Sequence, residues 1–261
     1  MIYIRTSEEI ELLRKSNLLV SKALAEIAKL IKPGIATLEL DKKAEEFIRD
    51  NGGIPGFLGY NKYPFTLCVS INEQVVHGMP DSKVLLKEGD IVSIDCGAIL
   101  DKYYGDSAYT FAVGEIDDKV RRLLEITKES LFKGVEQAID GKRIGDVGNA
   151  VQSHCENAGY SVVREMVGHG LGTRLHEAPE VPNYGKRGTG PMLKKGMVIC
   201  IEPMINMGTK KILQDKDGWT IKTTDSKPSA HFELAVAIDK DKADILSTFE
   251  YIESVLGDRK F

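Results

Sequence analysis

Four acids interrupt segments that otherwise have the composition of buried strands. Asp95 sits in Ile91-Val92-Ser93-Ile94-Asp95-Cys96-Gly97, and Asp106 follows in Gly105-Asp106-Ser107. Glu202 breaks Met197-Val198-Ile199-Cys200-Ile201-Glu202-Pro203-Met204, and Glu233 stands in His231-Phe232-Glu233-Leu234-Ala235-Val236. The ten residues between the two aspartates suit a hairpin that brings both carboxylates to one end of a strand pair. Burying a carboxylate without a partner is costly, and four together add mutual repulsion. None of the four runs contains Lys or Arg. Two divalent cations would balance the four charges. With one imidazole added, the donors form a hard, oxygen-rich set that suits manganese, iron or cobalt better than a thiolate zinc site. Two metals roughly 3.5–4 Å apart with a water between them are a recurrent hydrolytic device.

The chain has five histidines. His77 ends the run Val75-Val76-His77-Gly78, His169 lies in Gly168-His169-Gly170-Leu171-Gly172, and His176 opens His176-Glu177-Ala178-Pro179. Glycine on both sides of His169 allows close backbone approach, which favours a functional role over a packed core histidine. His154 lies between Ser153 and Cys155 inside a helical stretch and is assigned to packing. No H-E-x-x-H zinc helix, phosphate-binding loop or G-x-S-x-G elbow occurs. Gly168-His169-Gly170-Leu171-Gly172 lacks the third-glycine spacing of a dinucleotide loop. Cys96 follows Asp95 on a strand and should face the other side.

The elements that must position these side chains come in two similar sets. Thr6 and Glu9 form a capping box ahead of Ile10, Leu13, Val20, Leu24, Ile27 and Ile31, and Pro33-Gly34 ends that helix. A second helix spans residues 37–50 and stops at Asn51-Gly52-Gly53. Strands are expected over 65–71 and 91–94, with 104–113 as hairpin partner. After Gly114 the order recurs: helices over 120–139 and 144–158, then strands over 161–167, 197–205, 220–224 and 232–238. Gly34 and Gly52 bracket one short helix as Gly141 and Gly159 bracket the other, and Leu40, Ala44 and Ile48 fall on Val147, Val151 and Cys155. A helix-helix-strands unit used twice would set two sheets side by side.

The 261 residues carry 35 basic and 39 acidic side chains, and the formal charge of −4 excludes a global field for nucleic acid or anionic lipid. A chain of this length buries roughly three quarters of its unfolded surface, so it needs no metal to fold. A metal here therefore calls for a chemical reason. No apolar run approaches the roughly 18 residues of a membrane span, and Glu8, Glu9 and Glu11 do not fit a signal peptide. Cys68, Cys96, Cys155 and Cys200 contain no C-x-x-C pair and read as buried free thiols in a reducing compartment. The expectation is a soluble cytoplasmic enzyme, a single catalytic domain over 1–261 without an N-terminal extension.

His77-Gly78, Asp95-x-Gly97, Gly105-Asp106, Gly168-His169-Gly170-x-Gly172, His176-Glu177-x-Pro179, Ile201-Glu202-Pro203 and Phe232-Glu233 together resemble the type I methionine aminopeptidases across nearly the whole chain. The resemblance implies an α+β pita-bread fold, a pseudo-twofold repeat around a dinuclear metal site. It implies Asp95, Asp106, His169, Glu202 and Glu233 as ligands of two divalent ions, drawn from cobalt, manganese, iron, zinc and nickel. Asp106 and Glu233 would bridge both ions. Glu202 would also shuttle a proton, while His77 and His176 would contact the substrate. Phe57, Tyr60, Tyr63, Cys68, Leu175 and Trp219 match the lining of the family's methionine pocket. Leu175 departs from the aromatic residue many relatives carry, and Asn61 from a histidine found in some. The implied substrates are N-termini of nascent polypeptides with a small second residue. The implied protein is a monomer without membrane or direct nucleic-acid specificity, with room for transient ribosome contact.

Two other functions fit the same fold: an Xaa-Pro aminopeptidase or dipeptidase, and a metal-free protein that binds ribosomes or RNA. The first usually adds a large N-terminal domain. The second loses ligands, and all five ligand positions are filled here.

Overall fold

A computed structural model describes residues 1–259 and 261, so Lys260 of the expected domain lies outside the described residues. The first half runs α1 (Ser7–Ala28), α2 (Thr37–Asp50), β1 (Ile54–Pro55), β2 (Leu67–Ile71), β3 (Gln74–Val76), β4 (Ile91–Leu100) and β5 (Tyr103–Ala112). The second begins with α3 (Asp118–Val135), α4 (Ile144–Asn157), β6 (Ser161–Val162), β7 (Gly168–Gly170), β8 (Glu177–Val181) and β9 (Val198–Ile201). It continues through β10 (Met204–Asn206), β11 (Ile212–Gln214), β12 (Ile221–Thr223), β13 (Ser229–His231), β14 (Leu234–Ala237), β15 (Asp244–Ile245) and α5 (Glu250–Leu256).

The repeat read from the glycines is present in the backbone. α2 and α4 each have 14 residues. Gly34 and Gly141 precede them, Gly52 and Gly159 follow them, and all four have positive φ. Ala36 bridges Leu85 in one half, and Arg143 bridges Met192 at equivalent places in the other. Leu40, Ala44, Ile48, Val147, Val151 and Cys155 are all buried, so each short helix turns the same face to the core.

The Thr6–Glu9 capping box opens α1 as expected, but the helix stops at Ala28, with a turn at Leu30 before Pro33. In the first half, β4 pairs with β5 along one edge and with β2, then β1, along the other. The second half holds the five-stranded order β15-β14-β9-β7-β8. Smaller sheets β13-β10-β6 and β11-β12-β3 lie beside it in the chain order, the latter tying the first half to the second.

Three expected strands are shorter than their apolar runs, and one of them is split. The 161–167 run gives only β6, the 197–205 run breaks between β9 and β10, and the 232–238 run gives only β14, β13 having ended at His231. The breaks fall at Glu202-Pro203 and Phe232-Glu233. Pro203 has no N–H to give a ladder. Glu233 instead turns its backbone across to the other half: its N–H donates to Ala108 O at 2.9 Å, and Ser107 Oγ donates to Glu233 O at 2.8 Å.

β2 is anchored by α2. Asp41 Oδ1 accepts from Thr66 N at 2.9 Å and Leu67 N at 2.8 Å, all three residues being buried. Asp41→Ala would strand both N–H groups without solvent, and urea denaturation should show a loss of about 2 kcal/mol or more. A loss under about 0.5 kcal/mol would mean that β2 is held by its ladder alone.

Candidate metal centre

β4 and β5 form the expected hairpin, with Asp95 opposite Ala108 and Asp106 opposite Gly97. The two carboxylates are thus diagonal neighbours on one face, in mid-strand and not at the strand ends, because the strands run ten residues each. Asp106 is fixed from behind by α1, where Asn17 Oδ1 accepts from Asp106 N at 3.1 Å. Gly105 must be glycine for this approach, since a Cβ there would overlap the Ser16 backbone.

The second half supplies the other donors. His169 is held on β7 with Nδ1 3.0 Å from Gly170 O, which makes Nδ1 the protonated nitrogen and leaves the Nε2 lone pair free. Nε2 points at Glu202 Oε1 (3.5 Å) and Asp106 Oδ2 (3.7 Å). Asp106, His169 and Glu233 are buried, and their ligand atoms, with Cys200 Sγ, all lie within 4.8 Å of one another. Asp95 Oδ1, Asp106 Oδ1 and Glu233 Oε1 are buried without a hydrogen-bond partner.

Burial pushes Asp95 up to about 7. Burial, then the charge of the other acids, pushes Asp106, Glu202 and Glu233 well above the ordinary carboxylate range. Burial lowers His169 to about 3 and His77 to about 4, so both imidazoles are neutral at pH 7. Among the described residues, the basic groups paired with these acids are histidines only. Orphaned carboxylate oxygens around a lone pair of neutral imidazole are what a divalent cation requires, so the donor set fits a hard metal.

All thirteen residues singled out in the sequence line a single cavity of about 320 Å³. Phe57, Tyr63, Cys68 and Leu175 form a buried cluster there, with Tyr60 and Trp219 packed against it. Tyr63 OH donates to Leu67 O and Gly78 O, and its ring meets Trp219 edge-on at 5.0 Å. Tyr60 OH lies 2.7 Å from His176 Nδ1. A phenol donates in such a pair, so Nε2 of His176 carries the proton. His77 has φ +58, and the following Gly78 packs so closely on Val69 O that no side chain would fit. Asn61 takes φ 47, a left-handed conformation asparagine tolerates. Behind His176, Arg5 forms a buried ion pair with Glu177, and Ile2 bridges Ala178.

Two residues beside the acids escaped the sequence reading as members of the site: Cys200, whose Sγ lies in the donor cluster, and His231, which lines the cavity. Cys200 shares a period-two face with Glu202, and His231 shares one with Glu233. That alternation was the available signal. Cys96 does face the opposite core, and His154 pairs with Glu129 at the surface.

The sequence profile of metallopeptidase family M24 matches residues 11–240. The chain is 49% identical to methionine aminopeptidase 1 of Bacillus subtilis over 95% of its length and 99% of that protein. Its fold superposes on methionine aminopeptidase from Rickettsia prowazekii with a TM-score of 0.93 and 40% identity, covering 95% of this chain and 100% of that one. Prolidase from Pyrococcus furiosus matches at a TM-score of 0.78 and 27% identity, over 95% of this chain and 66% of that one. The chain belongs to metallopeptidase family M24, and its architecture is the α+β pita-bread fold. Within that family it stands with the type I methionine aminopeptidases.

The displaced pKa of Asp95 gives a pH signature in metal-free protein. Its carboxyl titrates near 3.8 when unperturbed and near 7 in the fold, so the stability it contributes is intact below 3.8 and lost as pH rises to 7. With chelator present, the melting temperature of Asp95→Asn should gain on the parent as pH rises through that window, then keep a constant margin. A margin independent of pH would refute the assignment.

Proposed function

We infer that the chain removes the N-terminal methionine from peptides and nascent proteins, with a small residue preferred in second place. The observation that carries this is one cavity shared by a cation-demanding donor cluster, two neutral histidines and an apolar aromatic and sulfur lining. A thioether side chain suits such a polarizable surface. Asp95, Asp106, His169, Glu202 and Glu233 would hold two divalent cations, cobalt, manganese, iron, zinc or nickel. When bound, these supply charge that acidifies water and polarises the scissile carbonyl.

The protein's own groups then have distinct tasks. Glu202 takes the proton from the attacking water and delivers it to the leaving amine. His176 offers Nε2–H to the oxygen on which negative charge develops, while Tyr60 holds its tautomer. His77 holds the scissile amide. The substrate's free α-amine would be received at the Asp95 end of the centre, which restricts cleavage to the terminus. The domain acts alone, in the cytoplasm, where its four buried thiols stay reduced. Transient ribosome contact would bring it to emerging chains.

Metal-stripped protein given Met-Ala-Ser and its N-acetylated form should release methionine only from the free amine, and only after manganese or cobalt is added. Failure with every metal, with turnover of an Xaa-Pro panel, would move the function to the prolidase branch. Glu202→Gln should lower kcat by about 10²–10⁴-fold with the fold intact. His176→Ala should keep its metal and lose about 10²–10³-fold in kcat. Tyr60→Phe should lose roughly 10-fold, one net hydrogen bond's worth. A wild-type rate in any of the three removes that residue from the scheme.

A further inference from the structure

His231 ends β13, and its ring is not accounted for by the scheme above. It is 1% exposed, lines the cavity, and has no hydrogen-bond partner at Nδ1 or Nε2. Its backbone, by contrast, is fully pinned. His231 N donates to Thr110 Oγ1 at 2.9 Å, Thr110 Oγ1 donates to His231 O at 2.7 Å, and β13 pairs His231 with Met204. Two residues before Met204 on the neighbouring segment is Glu202. His231 Nε2 lies 3.7 Å from Glu202 Oε2, while Glu202 Oε1 faces His169 at 3.5 Å. The Glu202 carboxylate is thus flanked by an imidazole on each side. A buried imidazole with two bare nitrogens costs free energy unless a partner arrives.

We propose that His231 is a positioning residue for Glu202: its Nε2–H donates to Glu202 Oε2, and so leaves Oε1 directed at the His169 side. The present 3.7 Å is longer by roughly 0.8 Å than an N–H···O hydrogen bond of about 2.9 Å, a gap that a side-chain rotation closes. The rotation needed belongs to Glu202, because the backbone ties to Thr110 fix His231. This rests on the reading of Glu202 as a metal ligand. Partners of ligating carboxylates fix the ligand's orientation and raise its hold on the cation.

The test compares His231→Leu and His231→Gln with the parent, all stripped with chelator and titrated with manganese by calorimetry. Without metal, His231→Leu should melt no lower than the parent, since it removes an unpartnered polar ring. It should bind manganese about 10–100-fold more weakly, with a similar loss in kcat and little change in KM. His231→Gln, whose amide can reach the same acceptor, should recover most of both. Parent-like manganese affinity in His231→Leu overturns the proposal while leaving the metal centre standing. Equal losses in the Leu and Gln variants also overturn it. A stripped parent that binds no manganese defeats the reading of the centre itself.

Discussion

Four carboxylates within reach of one another, two buried and two largely withdrawn from solvent, can coexist only if protons or cations stand among them. The fold provides no lysine or arginine in ion pairs with them among the described residues, and the histidines are kept neutral by burial. Replacing the missing charge with a basic side chain would quench the centre. Leaving the acids in water would relieve the repulsion but give up the dry surroundings in which charge acts strongly. The protein holds the middle position, an unneutralised cluster in a rigid frame. Most of the remaining structure maintains that state.

Neither half of the repeat makes the centre alone. The first contributes Asp95 and Asp106 on one hairpin face, and the second contributes His169, Glu202 and Glu233 from a sheet and its breaks. The halves are joined at the candidate donors themselves. Glu233 bonds through its backbone to Ala108 and Ser107 on β5, and His231 bonds to Thr110. A shift of one half against the other would therefore displace the donors and break buried hydrogen bonds together, which makes the cluster and the domain seam one unit.

Much of this was legible in the sequence. Acids inside apolar runs are conspicuous because burial penalises them so heavily, and glycine stops at equal spacing betrayed the two short helices. The break at Phe232-Glu233 was not legible, because Ala108 and Ser107, which take over the backbone hydrogen bonds of Glu233, lie on the other half of the chain. Cys200 and His231 were overlooked for a related reason: each reads as a strand residue until the neighbouring acid defines which face is inward. The Tyr60–His176 bond joins residues 116 apart, and no local pattern announces it.

The Arg5–Glu177 ion pair has a consequence for how the molecule is made. Residues 172 apart in sequence meet there, and Arg5 N also donates to Gly196 O at 2.7 Å. Arg5 and its neighbours are thus left waiting until Glu177 and Gly196 have been made, and they find their place late. The loop that carries His176 is braced only then. Closing so long a loop is slow, so the chain can gain its two sheets well before it gains a working site.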